Sequence, residues 1–474
     1  MVHTVDLPAI TQTFSPYLPK EDIHWDTRFA LQKELRIIEC DGNFVLYNTV
    51  LNNPIVLNQN ARNAVSELDQ KTLRELAQDP EHWELAELLI EAFHLLPVPL
   101  NTRRICAVKN AEYLRSVADG RSIKMLDLRL SEACNFGCPH CIAHDANKSR
   151  IMSLDTAKSI VDTYIAFLQK HQPDNRKLSL HYGNCEPLMN FKVLRSVHEY
   201  CLARYPEFEV EAAVNTNLSL LTEEMAEYFT KSGIAVYTSL DGPPAGNDAI
   251  RVYRDGRGTY ASIWEKMETL RKMGNPILGI SVTINDKNFR YIDDNFIDWC
   301  ADQGYLSVAY DFDLIHCLSL STEQQVEFLA HNWQAFTARG IEFFGTWETP
   351  FLNFSNESIV EDRHGFCKAA IGRNLSVDSL QNVYLCGFHD DQVCSLNDLE
   401  AAIKPGGSFY QRIEDRLVGN LPSPCLGYIF EGACNGQCLI TGKHPEKLLP
   451  QCEFYQKMTE AMIRINASDE EDDA

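Results

Sequence analysis

Across residues 125–340 the apolar positions switch six times between a spacing of two and a spacing of three to four. Spacing of two over 125–131, 177–183, 209–217, 234–242, 277–285 and 306–314 predicts strands, and helical spacing over 156–170, 193–204 and 263–273 predicts helices between them. Strands that alternate with helices pair in parallel through right-handed crossovers. Six such units predict an open, three-quarter α/β barrel. Helix starts carry the expected polar signals: Thr222 precedes Glu223 and Glu224, and Ser321 with Gln324 makes a capping-box pair. Barrels of this kind bind ligands at the C-terminal ends of their strands, so residues there are the first candidates for chemistry.

The flanks follow other patterns. Strand-like residues 35–40 and 43–50 meet at Asp41-Gly42, a dipeptide suited to a tight hairpin, and a third short strand follows at 54–57. Helical runs at 61–68, 71–78 and 82–95 complete a unit expected within residues 1–100, with 101–124 as a linker to the barrel at 125–340. Residues 341–456 are rich in cysteine, and 457–474 predict a helix end and a disordered acidic tail, whose run Asp469-Glu-Glu-Asp-Asp473 stays solvated.

At 474 residues the chain is expected to hold two or three domains. A net charge of -23 argues against a nucleic-acid partner, because a phosphate-binding surface needs clustered Lys and Arg. The N-terminal residues lack the basic and apolar parts of a signal segment, and no apolar run reaches membrane-spanning length. The expectation is a cytoplasmic protein whose sixteen cysteines are reduced or bound to iron.

The densest chemical signal is Ser131-Glu-Ala-Cys-Asn-Phe-Gly-Cys-Pro-His-Cys141, directly after the first predicted barrel strand. Cys134, Cys138 and Cys141 offer three thiolates on one short loop, which leaves one corner of a four-iron cluster for a ligand that is not protein. The alternatives are a zinc loop or buried thiols; a structural zinc needs four ligands, and no second cysteine pair lies near in sequence. The spacing C-x3-C-x2-C resembles the radical S-adenosylmethionine (SAM) superfamily. That resemblance implies a 4Fe-4S cluster whose open iron is chelated by SAM, reductive cleavage of SAM to a 5′-deoxyadenosyl radical, and hydrogen-atom abstraction. His140 stands where the family usually has an aromatic residue.

Strand ends add further likeness. The segment His181-Tyr-Gly-Asn-Cys-Glu-Pro-Leu188 is similar to the family's Gly-Gly-Glu-Pro motif, with Asn184 and Cys185 in place of the glycines; the resemblance implies that Glu186 meets the SAM ammonium. Asn215-Thr-Asn217 is similar to the family's Thr-Asn-Gly, with Leu218 in place of the glycine. Ser239-Leu-Asp-Gly-Pro243 followed by Arg251 resembles the peptide-modifying branch, in which a serine and an arginine contact the SAM carboxylate and ribose. Arg251 has the planar fork a carboxylate needs, and a structural arginine is the alternative. Asp311 and Asp313, at the last predicted strand end, are candidates to take a proton from a substrate radical or to hold a peptide amide.

The C-terminal cysteines resemble the SPASM extension of this superfamily, which carries two auxiliary iron–sulfur clusters. By its interleaved connectivity Cys367, Cys386 and Cys438 hold one cluster, and Cys425, Cys434 and Cys452 the other. Tyr428 replaces one expected cysteine, so phenolate ligation, an open iron, or an absent cluster remain alternatives there, while Cys394 matches no position. A zinc-ribbon tail is the non-cluster alternative. The N-terminal sheet with helices resembles the winged-helix element that binds leader peptides by edge-strand addition; a structural cap is the alternative.

The fold class expected is therefore a partial (β/α)6 radical SAM barrel, with an N-terminal winged-helix-like α+β unit and a C-terminal SPASM domain. The resemblance implies a maturase of ribosomally made peptides, with excision of a tyramine unit to an α-keto-β-amino acid as the first expectation. Thioether or cyclophane crosslinking, epimerisation, formylglycine formation as in anaerobic sulfatase maturation, and a non-catalytic iron–sulfur partner are the alternatives. Implied partners are a precursor peptide with its leader, an electron donor such as flavodoxin or ferredoxin, and a separate small protein, with neither nucleic acid nor membrane.

Overall fold

The computed structural model describes residues 5–143, 148–316, 318–356, 365–441 and 445–469. The six predicted barrel strands form at β6 (Met125–Leu128), β7 (Lys177–Tyr182), β8 (Glu209–Asn215), β9 (Ala235–Ser239), β10 (Gly279–Ile284) and β11 (Ser307–Phe312), all paired in parallel in sequence order. Each crossover carries a helix, over Leu154–His171, Phe191–Arg204, Glu223–Ser232, Tyr260–Lys272 and Asp294–Asp302, and Thr322–Thr337 follows β11. Thr222 caps its helix through Met225 N, and Ser321 with Gln324 forms the reciprocal capping box.

The sheet is larger than the pattern predicts. A seventh parallel strand, β12 (Glu342–Phe344), joins β11 beyond the expected barrel boundary at residue 340. At the other side β13 (Asn374–Val377) pairs in parallel with β6, and β14 (Asn382–Tyr384) and β15 (Cys394–Ser395) continue antiparallel. Ten strands thus make one open sheet with β12 and β15 as its ends, and residues 341–456 contribute four of them. Two to four residues are too few to show a period, which is why these additions are silent in the sequence.

Alternation decides what each face does. Leu126, Leu128, Leu178, Leu180, Tyr182, Val214, Val282 and Val308 are buried under the helices. The opposite, inward set is Asp127, Ser179, His181, Ala213, Asn215, Tyr237, Ser239, Ser281, Thr283 and Asp311, which register places on one face. That face is polar and keeps accessible surface, with Tyr237 at 54% and Ser281 exposed. The barrel interior is a lumen rather than a filled core.

Ahead of the barrel, β2 (Leu35–Cys40), β3 (Asn43–Asn48) and β4 (Asn52–Leu57) form an antiparallel sheet, and β1 (Phe29–Leu31) pairs separately with β5 (Leu95–Pro97). Asp41 and Gly42 both take positive φ, 42° and 93°, as a tight hairpin requires. The segment 101–124, expected as a linker, instead contains a 17-residue helix, Thr102–Ala118. Its polar side chains hold it in place: Asn110 Nδ2 donates to Val418 O at 2.7 Å, Tyr113 Oη to Ile371 O at 2.6 Å, and Arg103 makes a two-pronged contact with the buried Glu431. The last helix spans Pro445–Asp469, and the remainder of the expected acidic tail lies outside the described residues. Among the described residues no helix is long and apolar enough to cross a membrane.

Leu180 is 2% exposed at the centre of the helix-facing side. Leu180→Ala is expected to cost about 2–5 kcal/mol of stability, read as a lower urea midpoint of the apo-protein. An unchanged midpoint would mean that the two faces of the sheet are assigned in reverse.

Candidate active site

The cysteine loop leaves β6 and docks on the segment after β9. Gly137 N donates to Val252 O at 2.8 Å, Phe136 meets the Tyr253 ring edge-on at 4.9 Å, and Arg254 Nη2 donates to Cys134 O at 2.7 Å. A Cβ on Gly137 would stand 3.2 Å from the Arg254 backbone, so the glycine permits this approach. The far end is tied by Arg150, whose guanidinium grips the buried Glu132 through Nε and Nη2. Within the loop the three thiols lie in electrostatic range of one another: burial pushes Cys134 up to about 12, and Glu186, Cys138 and Cys141 add to it. Cys138 and Cys141 are also raised by burial, with Arg251 opposing the shift at both. Backbone N–H groups of Phe136 and Ala143 and the amide of Asn217 point hydrogens at Cys134 and Cys141 sulfur, the pattern that stabilises thiolates on iron. Such thiols ionise only against a strongly positive partner, so metal loading must release protons.

Glu186 is fully buried behind this loop. Its Oε1 accepts from Leu188 N at 2.9 Å and from Thr216 Oγ1 at 2.7 Å, and its Oε2 accepts from Asn217 N at 2.8 Å. One acceptor position of about four remains. Burial outweighs these donors and raises its pKa to about 7. Asn184 takes φ 81° and Leu218 φ 60°, so two of the three residues that replace expected glycines hold the left-handed backbone a glycine would supply, while Cys185 does not. Asn217 bridges the two loops, with Nδ2 donating to Asn135 Oδ1 at 3.0 Å and Oδ1 accepting from Ser219. Cys185 is pushed up to about 12, by burial first and then by Cys141 and Cys134.

On the far side, Arg251 spends its fork on Asp241: Nε and Nη2 reach the carboxylate at 2.8 and 3.1 Å. Asp241 also accepts from Thr283 N at 2.8 Å, and His140 Nε2 approaches it to 3.4 Å. Arg251 is therefore beside the cysteines but bound through one edge to protein, which leaves Nη1 for a ligand. Ser239 faces inward next to Ser281. Asp313 is buried and gathers His316 Nδ1 at 2.9 Å, Asn285 Nδ2 at 3.2 Å, and the backbone of Ile315 and His316. Asp311 is committed to Thr346, accepting from both its N and its Oγ1, which ties β11 to the loop after β12. Of the two acidic candidates, only Asp313 lies in electrostatic range of His140 at the cysteine loop.

Sequence reasoning passed over Asp127, Arg129, His181 and Asp241. Asp127 accepts from Ser376 Oγ at 2.6 Å and lies 2.8 Å from His181 Nδ1, while Arg129 stacks on Tyr384 and donates to Cys386 O and His389 O at 2.8 and 2.7 Å. The available signal was polar residues at alternate positions of an apolar strand, as in Leu126-Asp127-Leu128-Arg129-Leu130.

The C-terminal thiols gather into two groups. Cys438 feels Cys367 and Cys386, and Cys386 feels Cys367; Cys434 feels Cys452 and Cys425, and Cys452 feels Cys425. Burial is the first cause of every raised value among them, reaching about 12 at Cys434 and Cys438. Backbone N–H groups two or three residues downstream serve Cys367, Cys386, Cys434 and Cys438. Arg416 lies in electrostatic range of both groups, and its Nε is buried with no hydrogen-bond partner among the described residues. Tyr428 stands beside the second group as a phenol that donates to Cys452 O at 2.7 Å, and its pKa is raised by burial and by Cys434 and Cys452. Cys394 lies on β15 and joins neither group.

Among the described residues no three His, Cys, Asp or Glu side chains converge tightly enough to hold a single metal ion; the three thiol groups carry instead the donor chemistry of sulfur-ligated clusters, and two buried atoms without a partner among the described residues, Asn184 Nδ2 and His140 Nδ1, lie beside the first. Residues 128–296 match the family model of the radical SAM superfamily. The radical SAM cyclopropyl synthase TigE of Paramaledivibacter caminithermalis is 22% identical over 340 residues, 69% of this chain and 70% of that one. Among solved structures, anSMEcpe with bound AdoMet aligns at TM-score 0.57 and 16% identity over 73% of this chain and 96% of its own. Streptococcus suis SuiB bound to precursor peptide SuiA aligns at TM-score 0.51 and 14% identity over 87% and 96%. These two likenesses establish a common fold.

Glu186 titrates at about 7 in the folded chain against an ordinary value of 4.5. A carboxyl group raised on folding binds its proton more tightly in the native state, so Glu186 contributes stability to the apo-protein that grows as pH falls from 7 to 4.5. The slope is on the order of 1.4 kcal/mol per pH unit. Glu186→Gln is expected to remove that slope in urea unfolding followed across this range.

Proposed function

Because this chain belongs to the radical SAM superfamily through residues 128–296, we propose that it is a peptide maturase acting on a ribosomally made precursor by hydrogen-atom abstraction. The observation that carries this reading is the polar, accessible inner face of the sheet, with the Cys134/Cys138/Cys141 loop following its strand β6 and two further thiol groups in the C-terminal segment that pairs with β6 through β13. SAM and a 4Fe-4S cluster are its cofactors, and when bound they supply the 5′-deoxyadenosyl radical that removes the hydrogen atom.

The chain's own residues prepare that step. Cys134, Cys138 and Cys141 would hold the cluster, three thiolates that would leave one iron corner for SAM. Glu186 would accept from the SAM ammonium at its remaining acceptor position, a contact that favours its charged form. Asn184 and Asn217 close over the same end, and Arg251, aligned by Asp241, presents Nη1 to a carboxylate. Ser239 and Asp313 face the mouth of the lumen. Cys367, Cys386 and Cys438 hold one auxiliary cluster, and Cys425, Cys434 and Cys452 the second, with Tyr428 as a neighbour whose hydroxyl is engaged by Cys452 O.

Excision of a tyramine unit from the precursor is the first outcome we infer. Bond formation within the peptide is the second, favoured by the likeness to a cyclopropyl synthase over 69% of this chain. The leader binds the N-terminal sheet, electrons come from a flavodoxin or ferredoxin, and the protein works in the cytoplasm.

The deciding experiment is anaerobic coexpression with each short peptide encoded beside the gene, followed by mass spectrometry with fragmentation. Loss of a tyrosine-derived fragment supports excision, and loss of two hydrogens supports a ring or crosslink. Formylglycine on a sulfatase peptide alone would replace the maturase reading with sulfatase activation. Cys138→Ala is expected to abolish 5′-deoxyadenosine formation while iron still loads at the C-terminal thiols, measured by chromatography and iron analysis. Tyr428→Phe is expected to leave iron content unchanged and to perturb the spectrum of one auxiliary cluster only.

A further inference from the structure

One ion pair on the inner face has no part in the scheme above. Asp127 on β6 and His181 on β7 are register partners, with Nδ1 of the ring 2.8 Å from Oδ1 of the carboxylate. The other carboxylate oxygen accepts from Ser376 Oγ on β13 at 2.6 Å, so Asp127 is fixed from both sides. Next in the same row stand Ala213 and Ala235, whose methyl groups leave the ring open across the sheet. A Cβ on Gly183 would lie 2.3 Å from Cε1 of His181, so the glycine makes room for the ring toward the cysteine-loop end of the strands. The Asp127 side chain is 5% exposed and His181 21%, which makes the imidazole the part of the pair that the lumen can reach.

The groups facing the ring are Asp127 from β6 and Asn215 from β8, with Arg129 acting on Asp127 from the same strand. Burial alone would lower the imidazole pKa, but the Asp127 contact outweighs it and the ring holds its proton above the ordinary 6.5. With Nδ1–H used by Asp127, the second donor of a charged imidazole is Nε2, and the Asn215 side chain lies within hydrogen-bond reach of the ring.

We propose that His181 binds the peptide in the lumen by donating from Nε2 to one of its carbonyl oxygens, which takes the place of the Asn215 side chain at that nitrogen, and that Asp127 positions the ring for this contact. The proposal deepens the maturase reading and rests on it, because it takes the lumen as the place where the peptide sits. It names the ligand group, an oxygen acceptor on the peptide, and it makes the contact one that weakens when the ring loses its proton.

The test uses the iron-loaded enzyme with its precursor peptide and measures modified peptide per 5′-deoxyadenosine. His181→Leu is expected to lower this ratio about tenfold, the effect of one buried hydrogen bond lost with its partner left unpaired. His181→Gln keeps a neutral donor, so it is expected to recover part of the ratio and to flatten its fall at high pH. Asp127→Asn is expected to move that fall to lower pH, and the His181 ring signal in histidine-labelled NMR spectra of the apo-protein is expected to titrate lower in step. A wild-type ratio in His181→Leu, or an unmoved pH limb in Asp127→Asn with an unmoved ring signal, would overturn the proposal. Wild-type enzyme that cleaves SAM yet modifies no peptide would instead sink the maturase reading.

Discussion

Four residues of β13 lie parallel to β6, and the relation between the two cysteine-bearing halves of the chain follows from that pairing. Asn374 to Val377 continue the barrel sheet past its first strand, so the cysteine-rich segment is hydrogen-bonded into the barrel rather than appended to it. Ser376 then reaches the inward carboxylate of Asp127, and Arg129 reaches the carbonyl of Cys386. A slip of one residue in this register would turn Ser376 to the other face and break both links, because side chains alternate along a strand.

The same logic separates stability from chemistry across the sheet. Leucine, valine and tyrosine on one face bury against helices, while the opposite face keeps aspartate, histidine, asparagine and serine. Polar groups on the inner face are satisfied mostly by one another, as in Asp241 with Arg251 and Asp313 with Asn285 and His316. Buried charges are tolerated when paired in this way. Among the described residues, two of the buried polar atoms left without a partner, Asn184 Nδ2 and His140 Nδ1, lie beside the Cys134/Cys138/Cys141 loop.

Much of this was legible from residue order. The six central strands and the capping signals at Thr222 and Ser321 follow from local chemistry, and C-x3-C-x2-C marks its loop through spacing alone. What escaped depends on distance in the chain. The strands β12 to β15 are too short to show a period. The helix Thr102–Ala118 hid in an expected linker because polar residues such as Asn110 hold it against Val418, hundreds of positions away. Asp127 and His181 each look like an ordinary polar position in an alternating strand, and only register makes them a pair. The two C-terminal thiol groups were open to inference solely through a family's interleaved order, since nothing in their spacing says that Cys367 meets Cys438.

Arg416 lies within reach of four cysteines drawn from both C-terminal groups. A single guanidinium cannot neutralise two sets of thiolates, and in a buried setting each uncompensated charge is expensive. Ionising one set draws on the attraction that the other would use. The two groups therefore compete for one counter-charge: negative charge placed on either raises the cost of placing it on the other.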